Sequence, residues 1–183
     1  NAIQNLKLIT NYNPKKFIYA SSSMVYGDFK SSTIDENHPT NPKEVYGTMK
    51  LAGEIVTKGL CKFYQIKYNI IRPSAVYGPT DMNRRVSQIF IEKALSGDTI
   101  NIQGKDEKLD FTYIKDLANG AILAARNKNG KNQIFNITCG KGQSLYKFVL
   151  FLKKKFPNLK YQIEKKDSSK PSRGTLSIKK ANK

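Results

Sequence analysis

The chain has 183 residues, 39% of them hydrophobic, enough for one core or for one domain and part of a second. Lysine and arginine number 32 against 14 acids, a formal charge of +18, yet the lysines are dispersed, with short clusters only at Lys153–Lys155, Lys165–Lys166 and Lys179–Lys180. A disordered chain is excluded, and so is a helical membrane span, because no apolar run approaches the ~20 residues a helix needs to cross a bilayer.

No arginine-rich arm, zinc-finger spacing or RNP-type aromatic pattern accompanies the charge, so it reads as a lysine-biased surface and nucleic acid is not the expected partner. Cys61 and Cys139 lie far apart without CxxC spacing, which argues against a disulfide framework and a zinc site. Both read as packing residues, and no metal is expected. Asn1 to Leu6 lacks the pattern of a secretory leader, and the cytoplasm is the expected compartment.

In chain order, Ile3, Leu6 and Ile9 place a helix tail over residues 1–11, broken by Asn13-Pro14. Residues 16–20 form a short apolar run that stops at three serines, as a buried parallel strand does. Residues 27–45 read as a loop. From Tyr46 to about Ile66 a long helix is expected, with Met49, Gly53, Val56, Leu60 and Phe63 on its buried face. Residues 68–71 give a second buried strand, completing a βαβ unit. A loop over 74–82 leads to a helix from Val86 to Leu95, ended by Gly97. Strands are expected over 99–102 and 109–114. Asp116 is expected to cap a helix to Arg126. A strand over 133–138 precedes a loop holding Gly140 and Gly142. Ser144 caps a helix that stops before Pro157, residues 161–163 form a strand, and 177–183 read as the start of a helix.

The residues with most chemical content are Tyr46 and Lys50, at i and i+4 on one helix face, and Ser21-Ser22-Ser23 at the preceding strand end. A lysine ammonium within ~4–6 Å of a tyrosine can lower the phenol pKa by about 1–3 units from its usual ~10. Such a phenolate can take the proton of a sugar hydroxyl while hydride leaves the same carbon, and a serine hydroxyl can orient that oxygen. Tyr-x-x-x-Lys alone is common in a lysine-rich helix. Here the pair opens the crossover helix between two buried strands, and ligands of open α/β sheets bind outside the carboxyl ends of strands.

Longer stretches carry a resemblance. Residues 17–27 (FIYASSSMVYG), 42–50, 71–79 (IRPSAVYGP), 110–117 (DFTYIKDL) and 135–138 occur in an order similar to that of the extended short-chain dehydrogenase/reductase family, in its sugar-nucleotide epimerase/dehydratase branch. The resemblance implies an α/β fold: the second half of a Rossmann-like doubly wound parallel sheet, over 1–80 and 108–140. It also implies a small, incomplete α/β substrate-binding lobe over 81–107 and 141–183. No glycine-rich phosphate turn is present; Gly140 and Gly142 read as a plain loop. The resemblance therefore places that half of the cofactor site upstream of Asn1 and a further piece after Lys183, and the isolated chain is expected to be inactive.

It also implies roles. Tyr46 would be the base, Lys50 would hold the nicotinamide ribose, and Ser22 would be the hydroxyl partner, with Ser21 and Ser23 as fallbacks. The backbone around Pro73, Ser74 and Val76 would approach the nicotinamide of NAD, with NADP as the alternative. Ser23 would help bind substrate. Ser23 and Met24 stand where family dehydratases carry Asp-Glu, which disfavours elimination of water. Met24 and, approximately, Thr80 stand where double epimerases carry Cys and His. Ala75 and Leu109 replace an asparagine and an arginine that often meet the nucleotide diphosphate, leaving Arg84, Arg85 and Arg173 as candidates for that contact.

The expected function is 4-epimerisation of a nucleotide-activated sugar through a transient keto sugar, in surface-polysaccharide synthesis, with a homodimer plausible for the full protein. The alternatives are a 4-ketoreductase or dehydratase of the same family, or a non-enzymatic binding protein that uses its basic face. His38 reads as a solvated loop residue. Tyr26, Tyr77 and Tyr113 read as pocket walls or packing.

Overall fold

The computed structural model describes residues 7, 11–12, 14–81, 83–128 and 130–183. The helix expected over 1–11 falls almost wholly outside them. Strand β1 (Lys16–Ala20) leads into a 3-10 turn (Ser23–Tyr26), and β2 (Thr33–Ile34) follows in the loop. Helix α1 (Val45–Phe63) precedes β3 (Lys67–Arg72), β4 (Val76–Tyr77) and α2 (Val86–Ser96). Next come β5 (Ile100–Gln103), β6 (Lys108–Asp110), β7 (Thr112–Tyr113) and α3 (Ile114–Arg126). The described chain closes with β8 (Gln133–Asn136), β9 (Gly142–Ser144), α4 (Leu145–Lys155), β10 (Tyr161–Glu164) and β11 (Thr175–Leu176).

The central sheet has the order β1-β3-β8, all parallel, with Ala20 opposite Ile71 and Arg72 opposite Asn136. The middle strand, β3, is buried from Asn69 to Arg72, which is why it reads as an apolar run. Its buried Asn69 is satisfied: it donates to Ala124 O of α3 (2.8 Å) and accepts from Gln133 N (3.1 Å). At the far end of α3, Lys16 donates to the carbonyls of Ala124, Asn127 and Gly130, placing a cation where the helix dipole is negative.

A second hydrophobic cluster forms around Phe90, Ile100, Ile102, Leu145, Val149 and Leu152, between α2, α4 and the parallel β5–β10 pair. Ile100, Ile102 and Val149 are fully buried, each worth about 1.5–3 kcal/mol in apolar transfer. The antiparallel β6–β9 pair and the parallel β2–β11 pair join the two regions. Leu176 of β11 is fully buried against Val25, Tyr26 and Ile34.

Local signals act as expected at several boundaries. Gly97 ends α2 in the left-handed region (φ 78°), and the Ser144 hydroxyl accepts from Lys147 N to cap α4. Five expectations need correction. The residue preceding α3 is Tyr113, and Asp116 is an exposed first-turn acid rather than the cap; it still complements the helix dipole. The single strand expected over 109–114 is two short ones with different partners. Residues 177–183 form turns after β11, a strand the sequence reading lacks. Cys61 is buried as expected, but Cys139 is exposed.

The fifth correction concerns α1. Met49 and Phe63 project outward, Phe63 at 77% exposure, while Val56 and Leu60 are only half-buried. Gly53 is buried as expected, but the rest of the burial falls on Gly47, Glu54, Thr57 and Cys61. The sheet-facing stripe of this helix is thus small and polar. Among the described residues no helix is long and apolar enough to cross a membrane.

Candidate functional site

The carboxyl end of β1 is the starting point. Ser21 N donates to Ile71 O (2.8 Å) and Ser23 N to Pro73 O (2.9 Å), so the serines continue alongside β3 beyond the regular strand. All three are buried, and they differ in task. Ser21 donates to Glu54 Oε1 (2.5 Å), whereas Ser22 caps the 3-10 turn by accepting from Met24 N (3.2 Å). As an acceptor there, the Ser22 hydroxyl keeps its proton available to donate.

Helix α1 starts against this turn. A Cβ on Gly47 would lie 2.5 Å from Met24 O, so only glycine permits the approach. One turn on, Lys50 Nζ donates to Ala20 O (2.8 Å), the last residue of β1. The same ammonium lies 5.7 Å from the Tyr46 ring centroid and 5.8 Å from that of Tyr19, within cation–π range of both. Tyr46 is 52% exposed, so its ring is accessible rather than packed. The first two turns of α1 therefore bring a cation and an accessible phenol to the serine-bearing strand tip.

A buried polar group lies beneath. Arg72 donates to Glu54 through Nε (2.8 Å to Oε1) and Nη2 (2.6 Å to Oε2), with Glu54 0% and Arg72 2% exposed. Breaking one side of such a pair costs about 3–5 kcal/mol. Burial pulls the Arg72 guanidinium down, but Glu54 and Tyr26 together outweigh this and hold it above its ordinary range. The guanidinium also sits 4.7 Å from the Tyr26 ring centroid. Burial pushes the Tyr26 phenol up to about 12, so it stays protonated and donates to Asn136 Oδ1 (2.7 Å). Tyr26 is thus a core residue, while Tyr77 and Tyr113 line an open cavity of about 590 Å³. His38 is more than a solvated loop residue: Nε2 accepts from Lys30 N, Nδ1 meets Pro39 O at 2.8 Å, and the ring packs edge-on to Tyr26.

After β3, Pro73 is half-buried and Ser74 buried. Ala75 holds a left-handed backbone (φ 38°), and its carbonyl accepts from Thr112 N. Ala75, Val76, Arg85, Val86 and Arg173 line a cavity of about 220 Å³. Val86 and Arg173 also belong to a larger one of about 410 Å³, whose polar lining includes Asn101, Gln103, Glu107 and Lys166. Arg85 donates to Val76 O (2.9 Å). Arg173 extends to Met24 Sδ (3.6 Å), linking this side to the 3-10 turn; burial pulls its guanidinium below the ordinary range, while Glu44 and Glu107 oppose that. Arg84 points elsewhere: it is paired with Glu92 (2.8 Å), largely exposed, and lines none of these cavities.

Three functional-looking groups escape sequence reasoning. Glu54 and Arg72 look like ordinary charged residues, and only the i, i+4, i+8 spacing of Tyr46, Lys50 and Glu54 hints at a shared stripe. Asp110 is the third. It is fully buried; Oδ2 accepts from Thr138 Oγ1 (3.1 Å) and Leu176 N (3.2 Å), and Oδ1 has no partner among the described residues. Burial raises its carboxyl above the usual carboxylate range, against the pull of those hydrogen bonds.

Known proteins resemble this chain in sequence and in fold. A Methanocaldococcus jannaschii protein, provisionally named UDP-glucose 4-epimerase, is 37% identical over 148 residues, covering 78% of this chain and 48% of its own length. Human dTDP-D-glucose 4,6-dehydratase is 31% identical over 124 residues, 67% of this chain and 35% of that protein. The crystal structure of UDP-glucuronic acid 4-epimerase from Bacillus cereus, in complex with UDP-glucuronic acid and NAD, superposes with a TM-score of 0.91 at 28% identity, over 99% of this chain and 58% of that one. The fold is therefore Rossmann-like α/β, and the chain spans about half the length of the curated relative matched at 37%. The NAD dependent epimerase/dehydratase family model matches residues 3–138, a stretch that takes in the strand tip, α1 and the loop after β3; this chain belongs to that family.

Proposed function

We propose that the protein carrying this chain is an NAD-dependent 4-epimerase of a nucleotide-activated sugar. The observation that carries the reading is Lys50 at the Ala20 carbonyl beside the accessible Tyr46 ring, at a strand tip bearing Ser22. These residues fit the nicotinamide end of a dinucleotide: a cationic donor and a phenol meet at the carboxyl ends of parallel strands. Lys50 and the backbone of Pro73, Ser74 and Val76 would hold that end. When bound, NAD accepts a hydride from the sugar and returns it.

Tyr46 takes the proton of the C4 hydroxyl as the carbon is oxidised and gives it back when the keto sugar is reduced on its other face. Ser22, its hydroxyl oxygen already accepting from Met24 N, donates to the same sugar oxygen. Ser23 lines the same tip. Arg173 and Arg85, which line one cavity together with Ala75, suit the diphosphate. Arg84 joins them only by leaving Glu92. We assign the substrate lobe to 81–107 and 141–183 and the cofactor lobe to 1–80 and 108–140. Met24 next to the serines offers no acid for removing water, which favours epimerisation over dehydration. The setting we propose is cytoplasmic synthesis of surface-polysaccharide precursors, with the full protein as a homodimer.

The test is product analysis of the full protein with UDP-sugars and NAD by NMR. A C4 epimer without net cofactor turnover is expected, and Tyr46→Phe should lower kcat by about 10²–10⁴-fold. Stoichiometric formation of reduced cofactor together with a keto sugar would instead identify a ketoreductase running in its oxidative direction. An unchanged rate in Tyr46→Phe would remove the proposed base.

A further inference from the structure

The buried ion pair between Glu54 and Arg72 has no role in the chemistry just described, yet it joins the helix, the strand tip and the strand that carry the proposed catalytic groups and lead into the loop after β3. Glu54 lies one helical turn beyond Lys50 and two beyond Tyr46 on α1. Its Oε1 receives both the Ser21 hydroxyl (2.5 Å) and Arg72 Nε (2.8 Å), while Oε2 receives Arg72 Nη2 (2.6 Å). Ser21 is the neighbour of Ser22, and Arg72 is the neighbour of Pro73. One carboxylate therefore ties together the helix that carries the phenol and the ammonium, the strand tip that carries the hydroxyl, and the strand that leads into the loop after β3.

Stability alone does not account for such a pair. Well-packed apolar residues of similar volume often replace buried ion pairs at little or no cost. What an ion pair adds is direction: two fixed bonds from a planar guanidinium and one from a serine allow a single arrangement of three elements. Lys50 reinforces it from the next turn through Ala20 O. Backbone bonds from Ser21 N to Ile71 O and from Ser23 N to Pro73 O hold the tip to β3.

We propose that Glu54 and Arg72 are positioning residues which, through the Ser21 hydroxyl, hold the Ser22 strand tip in register with Tyr46 and Lys50. The proposal rests on the epimerase reading above. Neither side chain touches the reacting atoms. A misplacement of about 1 Å among reacting groups costs on the order of 10²-fold in rate, so loss of the clamp is felt in turnover rather than in binding.

Two variants of the full protein test this. Ser21→Ala removes the link to the strand tip and leaves the ion pair whole. The double variant Glu54→Met with Arg72→Met removes the pair without leaving a lone buried charge. In each, kcat should fall about tenfold or more while KM for the nucleotide sugar stays within about threefold. Amide hydrogen exchange, a readout that needs no turnover, should quicken about tenfold or more in peptides spanning 17–27 and hold elsewhere. Should the double variant fail to fold, Ser21→Ala decides alone. Parent-like turnover with parent-like exchange at the tip would overturn the proposal, as would faster exchange throughout the molecule. Tyr46→Phe is the control. If it keeps the parent rate, the epimerase reading fails and the positioning role falls with it. If it is inactive while Ser21→Ala turns over normally, only the positioning role fails.

Discussion

Ala75 holds a backbone conformation (φ 38°) that an L-residue with a Cβ adopts at a cost of about 1–2 kcal/mol. Asparagine tolerates the left-handed region better. Ala75→Asn should therefore raise stability by about 0.5–1 kcal/mol in urea unfolding; a less stable variant would show that the strain is relieved some other way. Asp110 makes a pH-dependent case. Burial raises its folded pKa, so the folded state holds the proton over a window where the unfolded carboxyl, titrating near ~3.9, has lost it. Stability from this group is thus highest below that window, declines as pH rises through it, and is level above. Asp110→Asn keeps an acceptor for Leu176 N and removes the ionisation. Its unfolding free energy should fall less steeply with pH over that window than the parent's. An identical slope would place the titration elsewhere.

At the scale of elements, α1 and the serine turn meet because Gly47 has no side chain. Gly47→Ala places a methyl 2.5 Å from a backbone oxygen, which neither partner can accommodate in place. Overpacking of this kind costs about 1–3 kcal/mol. With Tyr46 beside it, kcat should drop about tenfold or more, read by initial rates and thermal melts together. A melt and a rate both unchanged would mean that the approach is looser than drawn.

The same elements show what could be read in advance. β1, β3 and α1 were legible because buried parallel strands are continuous apolar runs and the intervening helix is long. Gly97 and Ser144 were legible because termination and capping are local chemistry. The buried face of α1 was misread because its sheet-facing stripe carries Glu54 and Thr57 in place of hydrocarbon, and the partner that makes Glu54 tolerable, Arg72, lies 18 residues away. β2 and β11 were invisible for a similar reason: two-residue strands exist only through their pairing, here between Thr33 and Thr175. For the site, Tyr46, Lys50 and the serines stood out as a pattern. The involvement of Glu44 and Glu107 in the field at Arg173 did not, since it depends on the folded path of the chain.

For the chain as a whole, a charge of +18 sets up a long-range positive field, which under the proposed function would draw in a diphosphate. The Debye length falls from about 10 Å at 0.1 M salt to about 3 Å at 1 M. KM for a nucleotide sugar should accordingly rise with ionic strength while kcat changes little, which steady-state kinetics in increasing potassium chloride would check. A flat KM would confine recognition to short-range contacts such as those of Arg173.

The β2–β11 pairing reaches beyond the two residues on each side. Phe29 N donates to Ser172 O, Asp28 accepts from Ser172 N, Thr175 N donates to Ser32 O and Ser177 N to Ile34 O. The loop over 28–34 thus grips the chain on both sides of Arg173 and fixes the backbone from which its guanidinium extends. If Arg173 meets the diphosphate as proposed, changes in the 28–34 loop can retune that contact through the backbone, at a distance along the chain from the arginine itself.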